Sequence, residues 1–233
     1  MKKRDYNNSI TIKDVIWQAL KVRHGITEVI AHDPETAAVS SPGTMCLLAE
    51  CLSTSDGPHI EIGTRYGGSA IFASAFTNNS IYCIDPMDWY EPHDWDHPQY
   101  KEGVIGSVGM FKRNVAMLDV FGLSERVHLI VAYSNPFPIS VPDGYFATAY
   151  IDGDHSYDGV RADFENLKNK VSKYMVFDDM YYPTVYFAVI DSLHDNPEWE
   201  LVHMNTNGGV LMKIGDITDE TWYSRIDKPL GVL

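Results

Sequence analysis

The sequence contains few cysteines, few basic residues and no long apolar run. Its three cysteines, Cys46, Cys51 and Cys83, lack C-x-x-C spacing, so neither a disulfide framework nor a zinc site is indicated. Lysine and arginine number 18 against 32 aspartates and glutamates, and this net charge of −14 disfavours nucleic-acid and anionic membrane partners. No run approaches the ~18 apolar residues of a membrane span. Because Lys13 and Asp14 interrupt the segment after the basic start, a signal peptide is not indicated, and we expect a cytoplasmic protein.

What is present is enough material for one sizeable core: 233 residues, of which 45% are hydrophobic. From residue 59, short apolar runs alternate with segments of helical period, which predicts an α/β protein with a mostly parallel sheet. We expect an N-terminal helical extension over 1–34, a main domain over 35–215 and a tail over 216–233.

Seven strands and five helices are predicted for the main domain. The strands lie near 59–63, 80–84, 126–132, 146–152, 174–178, 199–205 and 209–214, and the helices near 43–53, 67–77, 106–121, 157–171 and 183–195. The linker "NTNGG" contains good hairpin residues, so the last two strands should form an antiparallel pair. The segment 86–105 has no clear period but contains several aromatic rings; it is either a lid that contributes to substrate binding or a solvated surface insertion.

A glycine-containing turn joins the first predicted strand to a helix in "HIEIGTRYGGSAIFASAF". Glycines at such a turn allow the backbone to approach a ligand closely. The dinucleotide fingerprint G-x-G-x-x-G is not met, because Arg65 stands where its second glycine should be. A phosphate-binding P-loop is also excluded, since no Gly-Lys-Ser/Thr follows.

The stretch "IEIGTRYGGSA" resembles the first motif of class I S-adenosylmethionine-dependent methyltransferases, E-x-G-x-x-x-G. The resemblance implies a Rossmann-like fold with helices on both faces of the sheet. It further implies that the loop holds the methionine part of the cofactor, that Asp85 accepts the ribose hydroxyls, and that Met87, Ser134 and Asn135 lie on the adenine side. The implied cofactor-binding residues are Glu61, Gly63, Arg65, Gly67, Ser69, Asp85, Met87, Ser134, Asn135 and Asp152.

Two acidic groups, in "AYIDGDHSYDGV" and "YMVFDDMYYP", follow predicted strands. Because ligands bind at the carboxyl ends of parallel strands, Asp152, Asp178 and Asp179 should converge. Neighbouring carboxylates repel one another unless a cation compensates. Oxygen ligands without cysteine favour Mg²⁺, with Ca²⁺ or Mn²⁺ as alternatives.

These acids resemble the metal site of metal-dependent O-methyltransferases, in the methyltransferase family 24 group that includes the macrocin and catechol types. The macrocin type implies Asp154 as the catalytic base, whereas the position of the catechol-type base is occupied by His155. Both are retained as catalytic candidates. Ser156 is expected to cap the following helix and Asp158 to lie in its first turn, with Asp163 and Glu165 on a solvated face. The stretch "VSSPGTMCLLAECL" resembles the segment with which this group of enzymes covers the methyl end of the cofactor, which implies that Ser40 and Ser41 line that pocket.

The function expected from these residues and resemblances is methylation of a hydroxyl on a small molecule such as a sugar, a phenol or a natural product, with S-adenosyl-L-methionine and Mg²⁺ or another divalent cation. Two alternatives remain: a hydroxylase on the same scaffold, similar to cephalosporin hydroxylases, and a cofactor-binding protein without turnover. The sequence leaves open whether the chain forms a homo-oligomer.

Overall fold

The computed structural model describes residues 42–88, 107–116, 118–119 and 122–214. The predicted extension 1–34, Ser40 and Ser41, all but the first three residues of the 86–105 insertion, and the tail 216–233 lie outside the described residues.

The predicted seven-stranded sheet is confirmed, with the order β3-β2-β1-β4-β5-β7-β6. Strands β1 to β5 are mutually parallel, and β7 pairs antiparallel with both β5 and β6. The strands are β1 His59–Ile62, β2 Ile81–Asp85, β3 Val127–Val131, β4 Phe146–Ile151, β5 Val171–Phe177, β6 Trp199–Met204 and β7 Gly209–Lys213. The chain order reverses between β1 and β4, so ligands are expected to bind at the carboxyl ends of these central strands.

Within the described ranges, five helices cover the sheet, together with a 3₁₀ turn at Ser124–Arg126. They are α1 Pro42–Ser53, α2 Gly68–Ser74, α3 Ser107–Ala116, α4 Tyr157–Leu167 and α5 Pro183–Asp195. Helix α4 ends four residues before the predicted 171, and β5 begins three residues before the predicted 174. The shift occurs because Val171 already pairs with Phe146 of β4 and therefore belongs to the sheet.

The core has two layers, one on each face of the sheet. Helices α1, α2 and α3 bury Leu48, Phe72 and Phe111 against one face. Helices α4 and α5 bury Phe164 and Val189 against the other. The fold is therefore the Rossmann-like arrangement expected, with helices on both faces.

The predicted C-terminal hairpin is confirmed between β6 and β7. The Asn205 carboxamide oxygen accepts the backbone N–H groups of Asn207 (3.0 Å) and Gly208 (2.8 Å), which fixes the turn. Among the helices of the described residues, none has both the length and the apolar character that crossing a bilayer requires.

Candidate active site

The glycine loop packs directly against the end of β4. Gly63 has a φ of +84°, and a Cβ at this position would lie 2.0 Å from the backbone oxygen of Asp152. The protein itself therefore excludes a side chain at this position, because the backbone of Asp152 cannot move aside cheaply. Gly63 therefore joins the loop after β1 to the turn that carries Asp152.

Gly67, the other predicted cofactor-loop glycine of left-handed conformation, has a φ of +85° and precedes α2. A Cβ there would lie 3.0 Å from the Phe111 ring of α3. Close packing between loop and helix thus explains this glycine. Between the two glycines, the guanidinium of Arg65 lies 5.3 Å from the ring centroid of Tyr66, and the Arg65 side chain is exposed.

Glu61 lies on β1 beneath the loop and is fully buried. Ser69 donates its hydroxyl to Glu61 Oε1 at 2.5 Å, while Oε2 is buried without a hydrogen-bond partner among the described residues. Burial raises the pKa of Glu61 to about 7. An unpaired buried carboxylate oxygen favours a cationic ligand group, such as the ammonium of S-adenosylmethionine.

Asp85, at the end of β2, binds the backbone of two loops. Its Oδ2 accepts the N–H of Arg65 and its Oδ1 accepts the N–H of Met87, both at 2.7 Å. Arg65 and Met87 both have a positive φ, +48° and +57°, so these hydrogen bonds stabilise backbone conformations that residues other than glycine rarely adopt. Each carboxylate oxygen retains a lone pair for a ribose hydroxyl. The Met87 side chain is buried in the core.

Ser134 and Asn135 follow β3, with Ser134 half-buried and Asn135 exposed. Ser134 donates its hydroxyl at 2.5 Å to Oδ1 of Asp163 in α4. The expectation that Asp163 lies on a solvated face is wrong, because only 2% of this residue is exposed. Asp163 follows Val160 by three residues and precedes Leu167 by four, so helical spacing puts it on the buried face.

Three of the predicted site residues converge beyond the ends of β4 and β5. His155 Nε2 lies 3.3 Å from Asp152 Oδ1 and 3.4 Å from Asp179 Oδ2. One possible metal-ligating atom from each of the three residues lies within 4.8 Å of the other two. The hydrogen bond to Asp152 raises the pKa of His155, and burial raises that of Asp179. The cluster could hold a divalent cation, since carboxylate and imidazole are both common metal ligands.

Asp178, the third predicted metal ligand, is not among the three residues of this cluster. It is buried, and its carboxylate accepts the hydroxyls of Thr44 at 2.6 Å and of Tyr150 at 2.9 Å. The Tyr150 hydroxyl also lies 3.3 Å from Asp152 Oδ2 and so connects the two carboxylates. Asp179 contacts His155 instead and has a φ of +54°.

Asp154, the second candidate base, belongs to the start of α4. Its carboxylate accepts the backbone N–H of Ser156 at 2.9 Å and the Ser156 hydroxyl at 2.8 Å. Ser156 caps α4 as predicted, since its Oγ accepts the Gly159 N–H at 3.1 Å, and Asp158 lies exposed in the first turn. The carboxylate of Asp154 is thus engaged in forming the helix start.

Three residues near the site were not singled out from the sequence: Thr44, Tyr150 and Tyr182. The Tyr182 ring stacks on His155 with centroids 5.7 Å apart. The alternation of β4 could have indicated Tyr150, because residues 150 and 152 share one face of a strand. No sequence signal distinguishes Thr44 from any other helix residue.

Comparison with known proteins agrees with this architecture. A family model described as a methyltransferase domain matches residues 60–180, just over half of the chain. No curated protein matches in sequence. Because all structural neighbours given next are under 25% identical, they establish the fold alone.

The structure of the O-methyltransferase NovP is 18% identical, with a TM-score of 0.58 over 87% of this chain and 99% of that one. A protein from Corynebacterium glutamicum is 12% identical, with a TM-score of 0.57 over 89% and 92%. Cofactor-bound Rv0187 from MTB is 15% identical, with a TM-score of 0.52 over 86% and 90%. With the family match over residues 60–180, the chain belongs to the methyltransferase domain family, and it is an S-adenosylmethionine-dependent methyltransferase of the class I fold.

Proposed function

We propose that this methyltransferase transfers the methyl group to a hydroxyl of a small molecule and that it requires a divalent cation. The observation that carries the proposal is the convergence of Asp152, His155 and Asp179 within 4.8 Å. Because Gly63 of the cofactor loop contacts the backbone of Asp152, the acidic cluster lies next to the loop that would hold the cofactor. The net charge of −14 favours a small neutral or cationic acceptor over a nucleic acid.

The residues of the cluster suit this chemistry. Asp152 and Asp179 would hold the cation, Mg²⁺ or another divalent ion, and Asp178 remains a third candidate ligand behind them. A cation bound there lowers the pKa of a hydroxyl in contact with it. His155 would accept the hydroxyl proton at Nε2, and Tyr182, stacked on the imidazole, would fix the orientation of that ring.

Between the two candidate bases, contacts favour His155. The imidazole lies within the acidic cluster, whereas both carboxylate oxygens of Asp154 already accept hydrogen bonds from Ser156. The cofactor would be bound by Glu61, Ser69 and Asp85, with Arg65 and Met87 on the adjoining loops. The chain's own contribution is therefore positioning: it would hold the acceptor oxygen and the methyl group in line.

The test uses purified full-length protein, methyl-labelled S-adenosylmethionine and a panel of sugars, phenols and hydroxylated natural products. We expect labelled methyl ethers whose formation stops with a chelator and resumes with Mg²⁺ or Mn²⁺. His155→Gln should lower turnover about 10²-fold or more, which is the usual contribution of a general base, while Asp154→Asn should retain activity within a few fold. Undiminished transfer after chelation, or methyl groups found only on nitrogen or carbon, would contradict the proposal.

A further inference from the structure

A buried carboxylate outside the acidic cluster lies behind the loop after β3, which contains Ser134 and Asn135. Asp163 of α4 is 2% exposed, and its Oδ1 accepts the hydroxyl of Ser134 at 2.5 Å. Burial raises the pKa of Asp163 to about 6, so the carboxylate is ionised at pH 8. Neither the proposed cation site nor the cofactor loop after β1 contains this residue.

The same helix holds Ser134 at a second point. Asn166, three residues after Asp163, donates its side-chain N–H at 3.0 Å to the backbone oxygen of Ser134. With backbone and side chain both bound, the serine cannot turn its hydroxyl freely. Gly153 packs on the other side of Asp163, since a Cβ at position 153 would lie 3.2 Å from Asp163 Oδ2. Asp163 is therefore confined between two loops that end at the cofactor edge of the sheet.

The contact with Asp163 fixes the direction in which the Ser134 hydroxyl donates its hydrogen bond. A hydroxyl has one hydrogen to donate and two lone pairs that accept. An ionised carboxylate only accepts, so the single hydrogen of Ser134 is directed to Asp163. The lone pairs of the Ser134 oxygen therefore remain available to accept a hydrogen bond from a ligand. Ser134 is half-buried, so a ligand can reach this oxygen.

We propose that Asp163 is a positioning residue that fixes the hydroxyl of Ser134 as a hydrogen-bond acceptor and thereby selects a cofactor with an amino group at the 6-position of its purine. The inference rests on the proposed function and on the cofactor position that the family resemblance implies, with the adenine at Ser134 and Asn135 in the loop after β3. A 6-amino group donates to the waiting oxygen, whereas a 6-oxo group would meet it acceptor to acceptor. A site built for one hydrogen bond discriminates strongly against a ligand that cannot make it.

Titration calorimetry at pH 8 with S-adenosylhomocysteine and S-inosylhomocysteine tests this without any methyl acceptor. The two ligands differ in carrying an amino group or a carbonyl at the 6-position. We expect the wild-type protein to bind the adenosyl compound about tenfold or more tightly, on the basis of one hydrogen bond and one avoided repulsion. Asp163→Ala removes the acceptor of the Ser134 hydroxyl and frees its hydrogen for donation to a carbonyl at the 6-position, so the ratio of the two affinities should fall to about threefold or less.

Two further variants keep the test decisive. Ser134→Ala should reduce the ratio to the same extent without altering a buried charge, and it carries the test if Asp163→Ala does not fold. Asp158→Ala removes the same charge from an exposed position of the same helix and should leave the ratio unchanged. Equal affinity of the wild-type protein for both ligands, or an unchanged ratio in Ser134→Ala, would overturn the inference alone. Failure to bind S-adenosylhomocysteine at all would overturn both the inference and the cofactor site on which it rests.

Discussion

The acidic residues at the two halves of the carboxyl edge of the sheet have opposite surroundings. At the ends of β1 and β2, Glu61 and Asp85 are buried, and hydrogen bonds from Ser69 and from backbone N–H groups already engage them. At the ends of β4 and β5, Asp152 and Asp179 are partly exposed and face each other across His155. The first pair organises the protein's own loops, whereas the second pair leaves like charges close together.

The difference separates two kinds of preorganisation. In the cofactor half, Asp85 alone holds Arg65 and Met87 in left-handed conformations, so the shape of these loops is present before any ligand binds. In the acidic half, proximity of carboxylates disfavours their joint ionisation unless a positive charge binds. Backbone contact between Gly63 and Asp152 joins the halves, and each prediction below disturbs one side or this junction.

The largest effect is expected from breaking the junction. In Gly63→Ala the new Cβ would overlap the backbone of Asp152, and alanine would be forced into a left-handed conformation. We expect a loss of about 4 kcal/mol in the free energy of unfolding, from overpacking together with backbone strain. Denaturant titration measures it.

Gly122→Ala is the matched control for this variant. Gly122 also has a positive φ, +66°, but a Cβ there meets nothing within 4 Å. This control should therefore cost only the conformational term, about 1 kcal/mol. Equal losses in the two variants would show that the Gly63 contact with β4 contributes nothing.

The next effect isolates the acidic half. Asp152→Ala should reduce methyl transfer about 10³-fold, as expected when a group that stabilises the reacting charge is removed. Its affinity for S-adenosylhomocysteine should change only a few fold, because the contacts of Glu61 and Asp85 stay in place. Kinetics and calorimetry on the same preparation measure the two quantities. Asp158→Ala, at an exposed position, provides the control, and full activity in Asp152→Ala would exclude a cation at this residue.

The sheet could be predicted from sequence because each apolar run ends where a polar turn begins, and the carboxyl ends of parallel strands lie at one edge. Side-chain direction was harder to predict. Asp178 and Asp179 look equivalent in "VFDDM", yet one points inward to Thr44 and Tyr150 and the other outward to His155. Both residues follow the end of β5 at Phe177, and the left-handed backbone of Asp179 is not something that a strand pattern predicts.

The buried position of Asp163 could also have been inferred from helical spacing, but its charge argued for a solvated face. A charged residue is rarely buried unless it is paired, and the Ser134 hydroxyl that it binds comes from a distant loop. Local pattern cannot identify such a partner. The contact of Gly63 with Asp152 is hidden for the same reason, because it joins two strands that are far apart in the chain.

The third prediction concerns Glu61 in the cofactor half, whose replacement should raise the stability of the protein at pH 8 but lower its affinity for the cofactor. The pKa of Glu61 is raised from 4.5 to about 7, so its contribution to stability is complete below pH 4.5 and is lost as pH rises through 7. Glu61→Gln should therefore be more stable than the wild-type protein at pH 8, by up to about 3 kcal/mol, with no such gain at pH 4. It should also bind S-adenosylmethionine less tightly, since a charge opposite the cationic cofactor is removed.

Thermal and denaturant unfolding from pH 4 to pH 8 measure the stability difference, and calorimetry measures the affinity. Glu200→Gln, at an exposed position of β6, is the control for removing one negative charge. A Glu61→Gln protein that is less stable than the wild type at pH 8 would show that the carboxylate stabilises the loop, contrary to this account.

The smallest effect tests the hydroxyl that connects the two carboxylates of the acidic half. Buried Asp178 accepts hydrogen bonds from the hydroxyls of Thr44 and Tyr150, and Tyr150→Phe removes the second of these. We expect the free energy of unfolding to fall by about 1 to 2 kcal/mol. If Tyr150 also steadies Asp152, the concentration of Mg²⁺ or Mn²⁺ needed for half-maximal activity should rise several fold. Tyr145→Phe is the control, because it removes a hydroxyl that lies 3.0 Å from the hydroxyl of Tyr82. Tyr145 directly precedes β4 and therefore lies at the edge of the sheet opposite the acidic cluster. That variant should lose stability without changing the cation requirement, and identical cation requirements in the two variants would confine the role of Tyr150 to folding.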